Sequence, residues 1–428
     1  MAQTLSDTSS TVVQRSRSTR DRSKVLWIGT IGFTLMFAVW LQFGVLSVPI
    51  AEEFGLTNSQ VAWLISVAAL NGSLWRLITG IMADRWGGRS VMAALMVVSA
   101  IPTYFVIYAD SYTQLLIFAF LIGLAGNSFT IGVSWVSAWY PKSQQGLALG
   151  IFGAGNVGAS VTKLVAPLLL AVLPAGGFLG GLIPGGWRFI PVMYALLLLV
   201  MAAITWYGSP RPDITPGAGV PLAQQFRVLK KVRVWRFSLY YVVVFGAYVA
   251  LSGWMPTFYV KNFGLNLGLA ALLTALFIFP ASLLRPVGGW LSDKHGARPI
   301  MYISLCTMVL ATGAMMVPSN VWVFTVLLFV VGIAMGVGKA AVFKHIPEYF
   351  PKDVGAVGGL VGLIGGLGAV ALPPLFAYAQ EWTGLSMQSA TFGVLFGIAL
   401  ISLVWMQVVV SHDHRDRAHP ATADRDAG

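Results

Sequence analysis

The chain has 428 residues, 57% of them apolar and only 10% charged, whereas a soluble domain carries roughly 25% charged residues. Apolar runs of about twenty residues recur from end to end, each long enough to cross about 30 Å of hydrocarbon, which excludes a set of soluble domains. The net charge of +12 could suggest nucleic acid, but the basic residues collect in the connections on one side of the apolar runs, the distribution of a membrane protein.

Residues 1–24 are polar and rich in Ser, Thr and Arg, and read as a disordered cytoplasmic N-terminus. The apolar run after them is too long for the core of a cleavable signal peptide. Six spans follow at roughly 25–49, 58–81, 89–109, 113–138, 145–172 and 188–208, forming an N-terminal six-helix bundle over 25–208. They should be helices, because lipid offers backbone polar groups no partner outside their own segment, and none alternates as a barrel strand would. Segment 209–233 holds Pro210, Pro212, Pro216, Gly217, Gly219 and Pro221 before a basic stretch, and reads as a cytoplasmic linker. Spans at roughly 234–259, 268–291, 298–317, 321–346, 354–378 and 388–410 make a C-terminal bundle over 234–410, and 411–428 reads as a disordered cytoplasmic tail. The single cysteine, Cys306, lies in an apolar run and is expected to pack.

Basic residues favour alternate connections. Arg15, Arg17, Arg20, Arg22 and Lys24 precede the first span, and Arg85, Arg89 and Lys142 follow. Arg211, Arg227, Lys230, Lys231, Arg233 and Arg236 gather mid-chain, then Lys294, Arg298 and Lys352, then Arg415, Arg417 and Arg425. The intervening connections hold Glu52, Glu53, Asp110 and Glu381, with Arg188 and Lys261 at their edges. The positive-inside rule then puts both termini in the cytoplasm.

The two halves repeat. Arg76, Gly80, Asp84, Arg85, Gly87 and Arg89 return as Arg285, Gly289, Asp293, Lys294, Gly296 and Arg298, each 209 positions later. Tyr140-Pro141-Lys142 is matched by Phe350-Pro351-Lys352 after 210, and glycine-rich runs follow both, Gly153 to Gly158 and Gly362 to Gly368. Parallel six-span halves and the loop Gly80-x3-Asp84-Arg85-x-Gly87-Gly88-Arg89 resemble major facilitator transporters. The resemblance implies an all-α membrane protein of twelve helices in two pseudo-symmetric bundles. The loop charges Asp84, Arg85, Arg89, Asp293, Lys294 and Arg298 lie where inward gates would close, and are assigned to gating.

Arg76 and Arg285 each precede the loop aspartate by eight residues, which sets them about 12 Å into the membrane. A charge there costs about 2.5–3.5 kcal/mol even on the lenient insertion scale. No acidic residue lies at that depth in the spans to neutralise either. Two unpaired guanidinium groups facing one another across the repeat point to an anionic substrate, and their fork suits carboxylate, nitrate or nitrite. The competing account has them snorkelling or bonding to helix carbonyls. Asn156 is at similar depth and its amide could donate to an anion. The glycines of spans five and eleven either open backbone to a ligand or let helices approach.

Gly153-x-Gly155-Asn156-x-Gly158, with Gly362, Gly365, Gly366 and Gly368 in span eleven, resembles the paired nitrate signatures of the nitrate/nitrite porter (NarK-like) family. That resemblance covers nearly the whole chain. It implies that nitrate is held between Arg76 and Arg285, sandwiched by aromatic rings and touched by Tyr241, with Phe245 and Phe129 as the aromatics. Read without the family, the rings serve equally as core packing. The second signature departs from the first, since Gly366 stands where Asn156 would repeat.

Lys339 is the repeat partner of Phe129, twelve residues before Pro351 as Phe129 is before Pro141. A lysine can shed its proton, and an anion arriving beside it favours the charged form. Lys339, with Lys163 as a second candidate, is therefore expected to couple anion to proton; a lysine satisfied by helix carbonyls is the alternative. Lys344 and His345 are expected to snorkel or line the exit. The sequences Gly338 to Pro347 and Val161-Thr162-Lys163 resemble the proton-coupled subgroup.

The expectation is a secondary transporter of a bacterial inner membrane, not an enzyme, importing nitrate by proton symport and alternating access. Its partners would be nitrate or nitrite, protons and the bilayer, with no nucleic acid, and it would be monomeric. No metal, nucleotide or haem motif is evident, so no cofactor is expected. Nitrate/nitrite exchange is the nearest alternative, followed by transport of another small organic anion and by a transporter-like nitrate sensor.

Overall fold

A computed structural model describes residues 18–140, 142–172, 177, 185–215, 231–317, 319–349 and 354–418, and no strand occurs among them. The expected disorder of residues 1–17, most of the linker, the paired turns at Pro141 and Pro351 and the last ten residues of the tail lie outside the described residues.

Helix α1 spans Thr19–Phe54, α2 58–86, α3 Gly88–Tyr108, α4 112–139, α5 142–172 and α6 Gly186–Gly208. Then come α7 Val232–Phe263, α8 267–295, α9 Ala297–Met315, α10 Val321–Tyr349, α11 Val354–Thr383 and α12 Met387–Ala418. Among the described residues eleven helices are long and apolar enough to cross a membrane. The twelfth, α2, is interrupted at Trp75 between Asn58–Leu74 and Arg76–Trp86. Outward faces carry bare apolar side chains such as Leu168, Leu196, Leu310 and Val326, which a soluble surface would not tolerate in such number.

Two ends differ from expectation. Helix α1 begins at Thr19, inside the stretch expected to be disordered, where the Ser18 hydroxyl accepts the Arg20 N–H. Helix α12 continues to Ala418, past the expected end at 410. Extending a formed helix adds one bond per residue fixed, so hydropathy marks where lipid ends and not where the helix ends.

The repeat reaches the backbone. Gly55 at φ 62° and Gly264 at φ 66° terminate α1 and α7 in the left-handed region, open to glycine without a Cβ clash. Thr57 and Asn266 then cap α2 and α8, each accepting a backbone N–H three residues on. Both helices break one residue before their arginine, at Trp75 (φ −92°, ψ 2°) and Leu284 (φ −85°, ψ 2°). Pro286 helps explain the second break, because its ring nitrogen cannot donate to the Ser282 carbonyl. In α2 Leu77 stands at that position, and the Arg76 side chain takes the Gly72 carbonyl instead.

Helices α2 and α11 pack together across the halves, as do α5 with α8 and α1 with α7. At the Asn58 end the halves are latched. The Ser59 hydroxyl donates to Glu381 at 2.6 Å, the Trp63 indole to the Tyr378 hydroxyl at 3.0 Å, and Lys261 to Asn58. At the opposite end Asp213 binds the first residues of the linker to α3 and α4. Its carboxylate accepts the Arg89 backbone N–H at 2.8 Å and the Trp135 and Trp139 indoles at 3.1 Å each.

Candidate functional site

Arg76 opens the second part of α2 and is 4% exposed. Its Nε donates to the Gly72 carbonyl at 2.9 Å and its Nη1 to the Gly362 carbonyl of α11 at 3.4 Å, leaving Nη2 buried without a partner. The guanidinium carbon lies 5.3 Å from the Phe245 ring, 5.7 Å from Trp40 and 6.0 Å from Phe129. Arg285 opens the second part of α8, half-buried, with Nη1 lacking a partner. It lies 5.6 Å from the same Phe129 ring. The two guanidinium groups therefore converge on one phenyl ring. Neither has a carboxylate partner among the described residues; the Arg188–Glu53 pair, at 2.6 Å, joins α6 to the distant end of α1.

Each arginine is met by a glycine run of the opposite half. A Cβ added at Gly153 of α5 would stand 3.3 Å from Arg285 Nη1. A Cβ at Gly366 of α11 would stand 2.4 Å from the Ser73 hydroxyl and 3.7 Å from the Arg76 guanidinium carbon. Gly365 makes room for Tyr241, whose ring a Cβ would approach to 2.2 Å. Gly155 and Gly158 instead admit α1, since their Cβ atoms would lie 2.6 Å from Phe33 and 2.0 Å from the Thr34 carbonyl. Gly368 clears Val242, and nothing lies within 4 Å of the Gly362 Cβ position.

Tyr241 and Phe245 stack at 4.8 Å with their planes 5° apart. Tyr241 immediately precedes, and Phe245 lies within, a π-turn over Val242–Gly246, a distortion common at functional sites. The Tyr241 hydroxyl is buried beside the Arg285 guanidinium, makes no hydrogen bond of good geometry, and lies within electrostatic reach of both arginines. Asn156 is 1% exposed and neither atom of its amide has a partner. Buried polar atoms left open in this way call for water or a ligand.

Lys339 of α10 is fully buried at the same site. Its ammonium donates to the Ala281 carbonyl at 2.9 Å and sits 3.2 Å from the centre of the Tyr248 ring and 5.9 Å from Phe245. The Tyr248 hydroxyl bonds Ser282 at 2.9 Å and donates to the Asn156 carbonyl at 3.2 Å. The structure thus brings together Arg76, Arg285, Asn156, Tyr241, Phe245, Phe129 and Lys339. Lys163 stands apart, its ammonium donating to the Ala159 carbonyl of its own helix at 3.3 Å. Among the loop charges, Arg85 and Lys294 are exposed, Arg89 donates to the Trp206 carbonyl and Arg298 to the Tyr349 hydroxyl. The side chains of Asp84 and Asp293 lie outside the described residues. His345, expected to snorkel or line the exit, is buried, its Nδ1 2.9 Å from the Ala341 carbonyl.

The family profile described as Major Facilitator Superfamily matches residues 28–273 and 258–426. A Thermus thermophilus protein described as "probable nitrate/nitrite antiporter NarK1" is 59% identical over 93% of this chain and 94% of its own. The chain belongs to the NarK-like branch of the major facilitator superfamily.

This NarK-like transporter is also 30% identical to the nitrite extrusion protein of Bacillus subtilis, over 89% of this chain and 94% of that protein. Its fold matches an inward-facing, occupied bacterial homologue of Spinster at a TM-score of 0.67 and 20% identity, over 92% and 96% of the two chains. A mutant of the nucleoside transporter NupG matches at 0.69 and 13% identity, over 90% and 99%.

Sequence reasoning missed Ser73, Ser282, Tyr248 and Trp40 in this NarK-like site. The two serines were visible in the repeat, as Ser73-Leu-Trp-Arg76 and Ser282-Leu-Leu-Arg285. Tyr248 continues the helical spacing of Tyr241 and Phe245. Trp40 carried no signal, since its repeat partner is Val249.

Proposed function

We propose that this NarK-like chain imports nitrate by alternating access, binding it between Arg76 and Arg285, with Phe129, Phe245, Tyr241 and Asn156 around it. What carries the reading is charge: buried Arg76 and Lys339 and half-buried Arg285 share one cluster that holds no carboxylate among the described residues. Several uncompensated cations in low dielectric are strongly unfavourable until an anion joins them. The open donors at Arg76 Nη2, Arg285 Nη1 and Asn156 suit the three in-plane oxygens of nitrate. The names of the relatives support the same cargo.

The loops rich in Arg and Lys, at the Gly87 and Gly296 end, are read as cytoplasmic, with both termini there, in a bacterial inner membrane. Import of an anion against an inside-negative potential costs about 2.3 kcal/mol per 100 mV per charge. Proton symport offsets that cost, and Lys339 is the group placed to carry the proton beside the anion. Exchange for internal nitrite is the second reading, favoured by the 59%-identical relative described as an antiporter and by the fixed partners of Lys339 at Ala281 and Tyr248. Isotopic nitrate uptake into proteoliposomes decides between them. Symport predicts uptake driven by an imposed pH gradient with no internal anion; uptake seen only with internal nitrite selects exchange, and none under either condition removes nitrate as cargo.

A further inference from the structure

Tyr248 of α7 is fully buried, and its hydroxyl crosses to the opposite half, donating to the Asn156 backbone carbonyl of α5 at 3.2 Å. A carbonyl can only accept, so the phenol proton points there. The Ser282 hydroxyl, 2.9 Å from the same oxygen, must then be the donor of that pair. The phenol therefore gives one hydrogen bond and takes one, both within the protein. Asn156 itself does not lie in regular helix. Residues Ala154–Val157 form a 3₁₀ turn between two α-helical parts of α5, and such a tightening within a helix often marks a functional hinge. The Asn156 carboxamide is open at both atoms, while its backbone is held from across the interface.

The face of the same ring carries a charge. The Lys339 ammonium sits 3.2 Å from the ring centre and donates to the Ala281 carbonyl, next to Ser282. An ammonium over a ring draws on its electrons, and the phenol O–H becomes a stronger donor to its acceptor. We propose, given nitrate held between Arg76 and Arg285, that Tyr248 is a positioning residue: it sets the Asn156 carboxamide against nitrate and carries the influence of the Lys339 charge to it. The charged lysine tightens the phenol's hold on the Asn156 turn and steadies the amide; removing the charge slackens that hold. A cation of the C-terminal half thereby acts on the nitrate contact of the N-terminal half through one ring, without touching Asn156 itself.

The test titrates nitrate calorimetrically into the full-length protein in nanodiscs and records the unfolding temperature of each nitrate-free variant. Tyr248→Phe keeps the ring under Lys339 and loses the hydroxyl, and should raise the nitrate Kd by roughly 2–10-fold. Made in Asn156→Gly, which copies Gly366 of the repeat, the same change should raise Kd no further, since the amide it positions is gone. Made in Lys339→Gln, its effect should shrink, because the phenol is then an ordinary donor. If either background fails to fold, Asn156→Ala or Lys339→Met takes its place. An equal effect with and without the Asn156 carboxamide, or with and without the Lys339 charge, overturns the proposal. So does a lowered unfolding temperature with an unchanged Kd, the mark of packing alone. Nitrate that fails to bind the unaltered protein removes the cargo, and the proposal with it, which is a failure distinct from the other two.

Discussion

A guanidinium that spends Nε and one terminal nitrogen on carbonyl oxygens still has donors to offer, and Arg76 is left in that state. Arg76→Lys or Arg285→Lys would keep the charge and lose the fork. Nitrate uptake should fall at least about tenfold in each, since a charge-assisted hydrogen bond contributes about 1.5–3 kcal/mol. Initial rates of isotopic uptake at the wild-type level would take that arginine out of the site. Tyr241→Phe deletes one uncharged donor and should raise the nitrate KM by roughly 2–10-fold without changing stability much, which uptake at graded nitrate measures. Lys339→Gln should abolish pH-gradient-driven uptake while nitrate still binds; gradient-driven uptake at the normal rate would leave Lys339 a fixed charge. The paired arginines were legible because the repeat doubles them and no acidic residue shares their depth in the spans. The Tyr248 ring under Lys339, and the single phenyl ring under both arginines, join residues far apart in the chain, where no local spacing reports them.

At the scale of helices, the spans were legible from hydropathy but their interruptions were not. The break at Leu284 precedes a proline, while that at Trp75 has no such residue and is accompanied by the Arg76 side chain bonding the Gly72 carbonyl. The glycine runs looked like one feature and proved to be several: Gly153 and Gly366 face arginines, Gly365 faces a tyrosine, and Gly155 and Gly158 face α1. Paired substitutions separate these roles. Gly365→Ala places a methyl against Tyr241 and should impair nitrate uptake, whereas Gly362→Ala meets open space and should leave uptake near normal. Equal effects of the two would show that Tyr241 does not need that clearance. Gly158→Ala forces a methyl onto the Thr34 carbonyl and should destabilise by about 1–3 kcal/mol, read as a lowered unfolding temperature.

For the whole molecule, the latch at the Asn58 end joins Ser59 to Glu381 and Trp63 to Tyr378 across the halves. If alternating access requires that seam to part, a disulfide in Ser59→Cys/Glu381→Cys should stop nitrate uptake under oxidation and release it under reductant. Uptake that continues with the bridge formed would show that the seam stays shut throughout the cycle. The two-bundle architecture was legible from the 209-residue period, but which end is fastened in this conformation was not, because a repeat describes both states alike. The Arg76 bond to Gly362 carries its own implication. That guanidinium is rooted in one bundle and leans on the other, so any swing that draws α2 from α11 also weakens its hold. Loosening the grip and unbarring the doorway then become one stroke, with no separate trigger for letting go.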